Sequence, residues 1–122
     1  MQRFVRRALI AAALIACNAP RAGDDTATGA AAFTKQHARH KLEASVAGSD
    51  CRLLLIETSS AFDDDLVESI QYGTGDYAAF GGVDPFARDR GFRAVVYRDA
   101  PGRLWTYGAT TRDEAQSMSR CR

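Results

Sequence analysis

The groups with which this chain could do chemistry are two histidines, three cysteines and fifteen carboxylates, and their spacing restricts what each can do. His37 and His40 stand three residues apart in the run His-Ala-Arg-His, which would put both rings on one face of a helix. Such a pair can begin a metal site but needs one or two further ligands. Their polar surroundings favour solvated surface instead. Cys51 and Cys121 lack the Cys-x-x-Cys spacing of a zinc site. The triplet Asp63-Asp64-Asp65 lacks the alternating ligand positions and following glycine of a calcium loop, and suits the positive end of a helix dipole better. Tyr72-Gly73-Thr74-Gly75-Asp76 has glycines but neither the lysine nor the long glycine spacing of a phosphate loop. No serine sits in a nucleophile elbow, and no histidine lies in the well-patterned segments to activate one. Glu57 and Asp76 could act as a carboxylate pair in glycoside hydrolysis, yet with so many other acids the composition singles out no pair. No catalytic residue, cofactor or metal is therefore assigned. The aromatic set Tyr72, Tyr77, Phe80, Tyr97, Trp105 and Tyr107 lies near polar loops. Tyrosine and tryptophan are enriched at recognition surfaces, although a small domain needs most of them for its core.

The remaining cysteine, Cys17, closes the run Leu14-Ile15-Ala16-Cys17 at the end of an apolar stretch, Ala8 to Ala16, that follows Arg3, Arg6 and Arg7. That stretch is too short for a permanent membrane span and is placed as an export signal would be. The run resembles the lipobox of bacterial lipoproteins. The resemblance covers about the first seventeen residues and implies cleavage between Ala16 and Cys17, lipid on the Cys17 sulfur, and a membrane tether of two or three acyl chains. Asn18, where an aspartate would imply retention at the inner membrane, points to the outer membrane facing the periplasm. The alternative is an ordinary cleaved signal and a soluble exported product. Pro20 spoils the sites available for that: it falls at the third position before a cut after Ala22 and just beyond a cut after Ala19. An odd cysteine count in an exported chain needs an explanation. With lipid on Cys17, Cys51 and Cys121 are left as a pair, and an oxidising compartment would join them. Closing so long a loop stabilises by about 4 kcal/mol in the chain-entropy account.

The elements that must position these groups fall into three regions. Residues 1–16 form the cleaved signal, 17–32 a flexible tether of Ala, Gly, Thr, Asp and a proline, and 33–122 a compact domain near the lower size limit for a single core. Phe33 to Ala47 patterns as a weak helix or extended lead-in. Leu53-Leu54-Leu55-Ile56 reads as a strand buried on both faces, the centre of a sheet. Ser60 and Asp63 suggest the cap of a helix with Phe62, Leu66 and Ile70 on one face and Gly73 as its stop. Thr74 to Gly82 suits strand or loop. Asp84-Pro85 opens a short helix closed by Gly91. Phe92 to Tyr97 and Arg103 to Tyr107, joined through Pro101-Gly102, read as a β-hairpin. Thr111 and Glu114 cap a last helix ending near Cys121, which the disulfide would tie to the first strand. The expected fold is α+β: a small, mainly antiparallel sheet with short packed helices and one disulfide.

Formal charge is +1 and becomes −2 without the three arginines of the signal, which gives no reason to expect a nucleic-acid partner. The distribution is uneven: Phe62 to Pro85 holds six acids and no base, while arginines crowd the later chain. Opposite charged faces or internal pairing would both follow. The expectation is a lipid-anchored envelope protein that binds and does not catalyse. Its partner would be an envelope protein, an exported toxin or hydrolase held as by an inhibitor or immunity protein, or a cell-wall component. The surface expected to do so is Tyr72, Asp76, Tyr77, Arg93 and Trp105. The alternatives are a small envelope hydrolase using Glu57 and Asp76, and a soluble periplasmic metal-binding module using His37 and His40.

Overall fold

A computed structural model describes residues 22–122 and shows an α+β domain. The signal, the lipobox-like run and the first part of the expected tether lie outside the described residues. Four strands, β1 (Leu42–Ala47), β2 (Leu53–Thr58), β3 (Ala94–Arg98) and β4 (Leu104–Gly108), form one sheet in the order β1-β2-β3-β4. The outer pairings are antiparallel, with Ala47 opposite Leu53 and Tyr97 opposite Trp105; the central pairing is parallel, with Leu54 beside Val95. Parallel neighbours require a crossover. Here it runs through α2 (Asp64–Tyr72), a 3₁₀ helix (Gly75–Phe80) and α3 (Val83–Asp89).

Leu53, Leu54, Leu55 and Ile56 are all buried, because both faces of the sheet are covered. On one face Leu54, Ile56, Val95 and Tyr97 pack under Phe33, Phe62, Val67 and Ile70. On the other, a smaller cluster of Ala47, Leu53, Leu55, Ala94 and Val96 lies beneath Ala115 of α4 (Arg112–Ser117), with Leu104 and Met118 beside it.

The expected tether is corrected where it is described. Ala22–Gln36 is a helix, α1, whose Thr26, Ala30 and Phe33 side is buried, as is His37 just past its end. The spacing is helical, but Phe33 is the one large apolar residue in the stripe and the rest are small or polar, so it shows little hydrophobic contrast in sequence. Alanine is the best helix former, and its small side chain lets a helix lie close on its neighbours. The weak helix or lead-in expected over 33–47 divides: α1 ends, Ala38–His40 makes a 3₁₀ turn, Lys41 takes a left-handed conformation (φ 58°), and β1 begins.

Other boundaries shift for local reasons. Asp63, not Ser60, caps α2: its Oδ1 accepts from the Leu66 N–H at 2.7 Å. Gly73 ends α2 in the left-handed region, and a Cβ there would lie 2.5 Å from the Gly82 nitrogen, so this approach of two backbones requires glycine. Gly82 precedes α3, and Asp84 sits inside its first turn paired with Arg88 instead of capping it. The hairpin forms as expected. Thr111 caps α4, its Oγ1 accepting from the Glu114 N–H at 3.1 Å. That helix stops at Ser117, short of Cys121. The tail returns along β1, where the Cys121 N–H donates to the Val46 carbonyl at 2.8 Å. Cys51 and Cys121 form a disulfide with Cα atoms 5.9 Å apart, which ties the C-terminal tail, not α4 itself, to the β1–β2 turn.

Candidate binding surface

Trp105 and Tyr107 alternate with Leu104 and Thr106 along β4, so both rings emerge on the face that carries α2. On α2, Asp64, Glu68 and Tyr72 recur at four-residue intervals and form one row along the helix. That row lies against β4 at both ends. The Trp105 indole Nε1–H donates to Asp64 Oδ1 at 2.8 Å, and the Tyr72 ring meets Tyr107 edge to face at 6.0 Å. Behind them Phe62 contacts both Trp105 (5.9 Å) and Tyr97 (6.0 Å), and the Tyr97 hydroxyl donates to Gln71 Oε1 at 2.8 Å inside the core. Tyr72 is 54% exposed, the one large hydrophobic side chain so placed among the described residues. Burial pushes the Tyr107 hydroxyl pKa up, and the fields of Tyr72, Glu68 and Asp64 push it further. The Arg103 guanidinium lies 5.4 Å over the Trp105 ring while its charge is met by the buried Asp99.

The five residues expected to make one surface are thus divided. Tyr72 and Trp105 share the β4 and α2 surface. Asp76 is exposed at the start of the 3₁₀ helix, and the next residue, Tyr77, is buried with its ring 4.6 Å from that of His40. Arg93 is taken up internally: Nε meets Asp50 at 2.8 Å, both terminal nitrogens meet Glu114 at 2.9 and 2.6 Å, and Nη1 also donates to the Ala109 carbonyl. Hydrogen bonds from Arg93 first, and from Thr110 second, pull the Glu114 pKa down to about 2. A guanidinium with its donors so occupied joins β3, α4 and the β1–β2 turn. The expected surface left out Tyr107, although the aromatic set contained it, and the acids Asp64, bonded to Trp105, and Glu68, near Tyr107; the four-residue spacing of Asp64, Glu68 and Tyr72 was the available signal.

The histidines are not the solvated pair that their surroundings suggested. His37 is buried, stacked on Phe33 at 4.0 Å and tilted against Phe80 at 4.2 Å, and its Nδ1 is 3.0 Å from the Phe33 carbonyl, so Nδ1 carries the donated proton. Burial, with help from His40, lowers its pKa despite that hydrogen bond. Among the described residues no three His, Cys, Asp or Glu side chains are grouped to hold a metal.

Glu57 lines a cleft of about 450 Å³ with Thr34, Lys41, Glu43, Thr58 and Arg120. One of its oxygens accepts from Arg98 at 2.8 and 3.1 Å, and the other from Arg120. Burial alone would raise its pKa, but Arg120 and Arg98 outweigh that and hold it below the ordinary carboxylate value. A carboxylate kept ionised by two guanidiniums is a poor proton donor. Asp76 does not line this cleft.

No family model, curated protein or solved structure matches this chain. Among the described residues no helix is long and apolar enough to cross a membrane.

Proposed function

We propose that this chain is a lipid-anchored envelope protein whose folded domain binds a partner and performs no catalysis. The observation that carries the anchor is the Cys51–Cys121 bond. It uses two of the three cysteines and leaves Cys17, in its lipobox-like run, as the one to be accounted for. A disulfide also fits an oxidising compartment, as an exported protein would meet. Lipid on Cys17 would hold the domain at a membrane, and Asn18 favours the outer membrane on its periplasmic side. The binding role is supported by the aromatic and acidic surface of Tyr72, Trp105, Tyr107, Asp64 and Glu68. The partner class is an envelope protein or a cell-wall component. Against a hydrolase stands Glu57, held ionised by Arg98 and Arg120.

Intact mass spectrometry of the protein from the membrane fraction of its native host, with and without reductant, tests the anchor. The expected mass begins at Cys17, carries added acyl chains and gains two hydrogens on reduction. An unlipidated mass, or an uncut N-terminus, would sink it.

A further inference from the structure

We infer that the outer edge of β4 takes an extended, lysine- or arginine-bearing segment of another protein as a fifth strand, its basic side chains lying along the Asp64–Glu68 row of α2. This rests on the binding role proposed above and not on the anchor. In the β3–β4 ladder, Asp99 N–H donates to Arg103 and Ala109 N–H to Arg93, so the odd-numbered residues of β4 turn their backbone groups inward. Leu104 and Thr106 therefore direct N–H and C=O outward, and among the described residues nothing meets them. Gly108 is partly closed, its carbonyl accepting from the Thr110 N–H at 3.0 Å. An open edge of this kind is a template for strand addition.

Charge selects the occupant. Alternate side chains of an added strand would emerge on the α2 side, next to Trp105 and Tyr107 and the row Asp64, Glu68 and Tyr72. Neither Asp64 nor Glu68 has an ion-pair partner among the described residues, and no lysine or arginine occurs from Phe62 to Pro85. The Arg103 guanidinium, held by Asp99, already covers the Trp105 ring, so an incoming cation would meet the Asp64 and Glu68 carboxylates and not the ring face. An acidic segment would meet repulsion along the whole row, and a second copy of β4 would bring a second α2 with the same acids.

Hydrogen–deuterium exchange on the full chain in detergent tests this, with a synthetic eight-residue peptide of alternating lysine and threonine as probe. At saturating peptide, the Leu104 and Thr106 amides should exchange at least about tenfold more slowly. Asp64→Asn with Glu68→Gln should weaken binding about tenfold, and added salt should weaken it too. The same peptide N-methylated at every residue keeps its charge but has no backbone donor on either edge, cannot complete a ladder, and should not bind. Thr106→Pro should also abolish binding by removing the outward donor; if that variant folds poorly, the N-methylated peptide makes the same discrimination without altering the protein. Equal binding by a glutamate-for-lysine peptide would overturn the inference. So would equal binding by the methylated peptide, protection confined to other amides, no binding of the basic peptide, or protection that rises with protein concentration alone. An unlipidated Cys17 would leave these results unchanged, so failure of the anchor and failure of the edge are separable.

Discussion

The two edges of the sheet are built from strands of similar length and end up in opposite states. Along β1 each outward-facing residue finds a partner from elsewhere in the chain. Leu42 N–H reaches the His37 carbonyl at 3.5 Å, and Ala44 N–H donates to Thr34 Oγ1 at 2.8 Å. The Val46 carbonyl accepts from Cys121, and Gly48 N–H donates to Ser119 at 3.1 Å. The Thr34 hydroxyl proton is in turn offered to the carbonyls of Ala44 (3.2 Å) and Ala30 (3.1 Å). Helix α1 and the disulfide-held tail therefore do for β1 what a neighbouring strand would do. On β4 the outward backbone groups of Leu104 and Thr106 meet nothing among the described residues, while Trp105 between them is packed on Phe62 and hydrogen bonded to Asp64. Strand propensity does not account for the difference, because the stronger strand former, β4 with Trp105, Thr106 and Tyr107, is the edge left open. What the rest of the chain lays against each one does, and the edge left open is the one beside an unpaired acidic row.

That contrast can be broken or sharpened experimentally. Replacing both Cys51 and Cys121 by serine should lower stability by about 4 kcal/mol, read by urea unfolding, because the bond closes a loop of 70 residues and holds the tail on β1. Exchange should accelerate at Gly48 and Cys121 and stay unchanged on β4. Ala44→Pro should cost about 3 kcal/mol, since it removes a backbone donor that Thr34 receives. Thr106→Pro, at an outward position on the open edge, should cost no more than about 1 kcal/mol. Near-equal losses from these two prolines would show that the edges are equivalent. Thr34→Val should cost about 1–2 kcal/mol by leaving the Ala44 N–H without its acceptor.

The smallest expected effects are read by pH. Glu114 has a folded pKa of about 2 against an ordinary 4.5, so its contribution is complete above pH 4.5 and lost as pH falls toward 2. Glu114→Gln should flatten the acid limb of a stability curve over that window. His37 has a lowered folded pKa; its contribution is complete above its ordinary 6.5 and lost as pH falls below that. His37→Phe should reduce the loss between pH 7 and 5. An unchanged slope in either variant would show that the group titrates alike in folded and unfolded chains.

Much of the fold was legible because its signals are local. Leu53 to Ile56 announces a strand covered on both faces, Pro101-Gly102 a hairpin, Gly73 a helix end, and Thr111 a cap whose hydrogen bond the structure contains. Cysteine arithmetic led to the Cys51–Cys121 pair. Helix α1 was not legible, since Thr26, Ala30, Phe33 and His37 show too little hydrophobic contrast to mark a buried stripe. Nor was β1, whose Ala44, Ser45 and Ala47 carry weak strand preference and owe their place to β2, Thr34 and the tail. For the surface, residue type pointed to Tyr72 and Trp105, but only packing could separate them from Tyr77 and Arg93, which have the same chemical credentials and opposite fates. The sequence alone determined the elements set by neighbours a few residues away: the hydrophobic runs, caps and turns, and the cysteine count that makes a pair. Tertiary structure decided which side chains stay available to a partner. Availability depends on whether groups distant in the chain, Thr34 and Cys121 at one edge, Asp50 and Glu114 at Arg93, come close enough to satisfy them first.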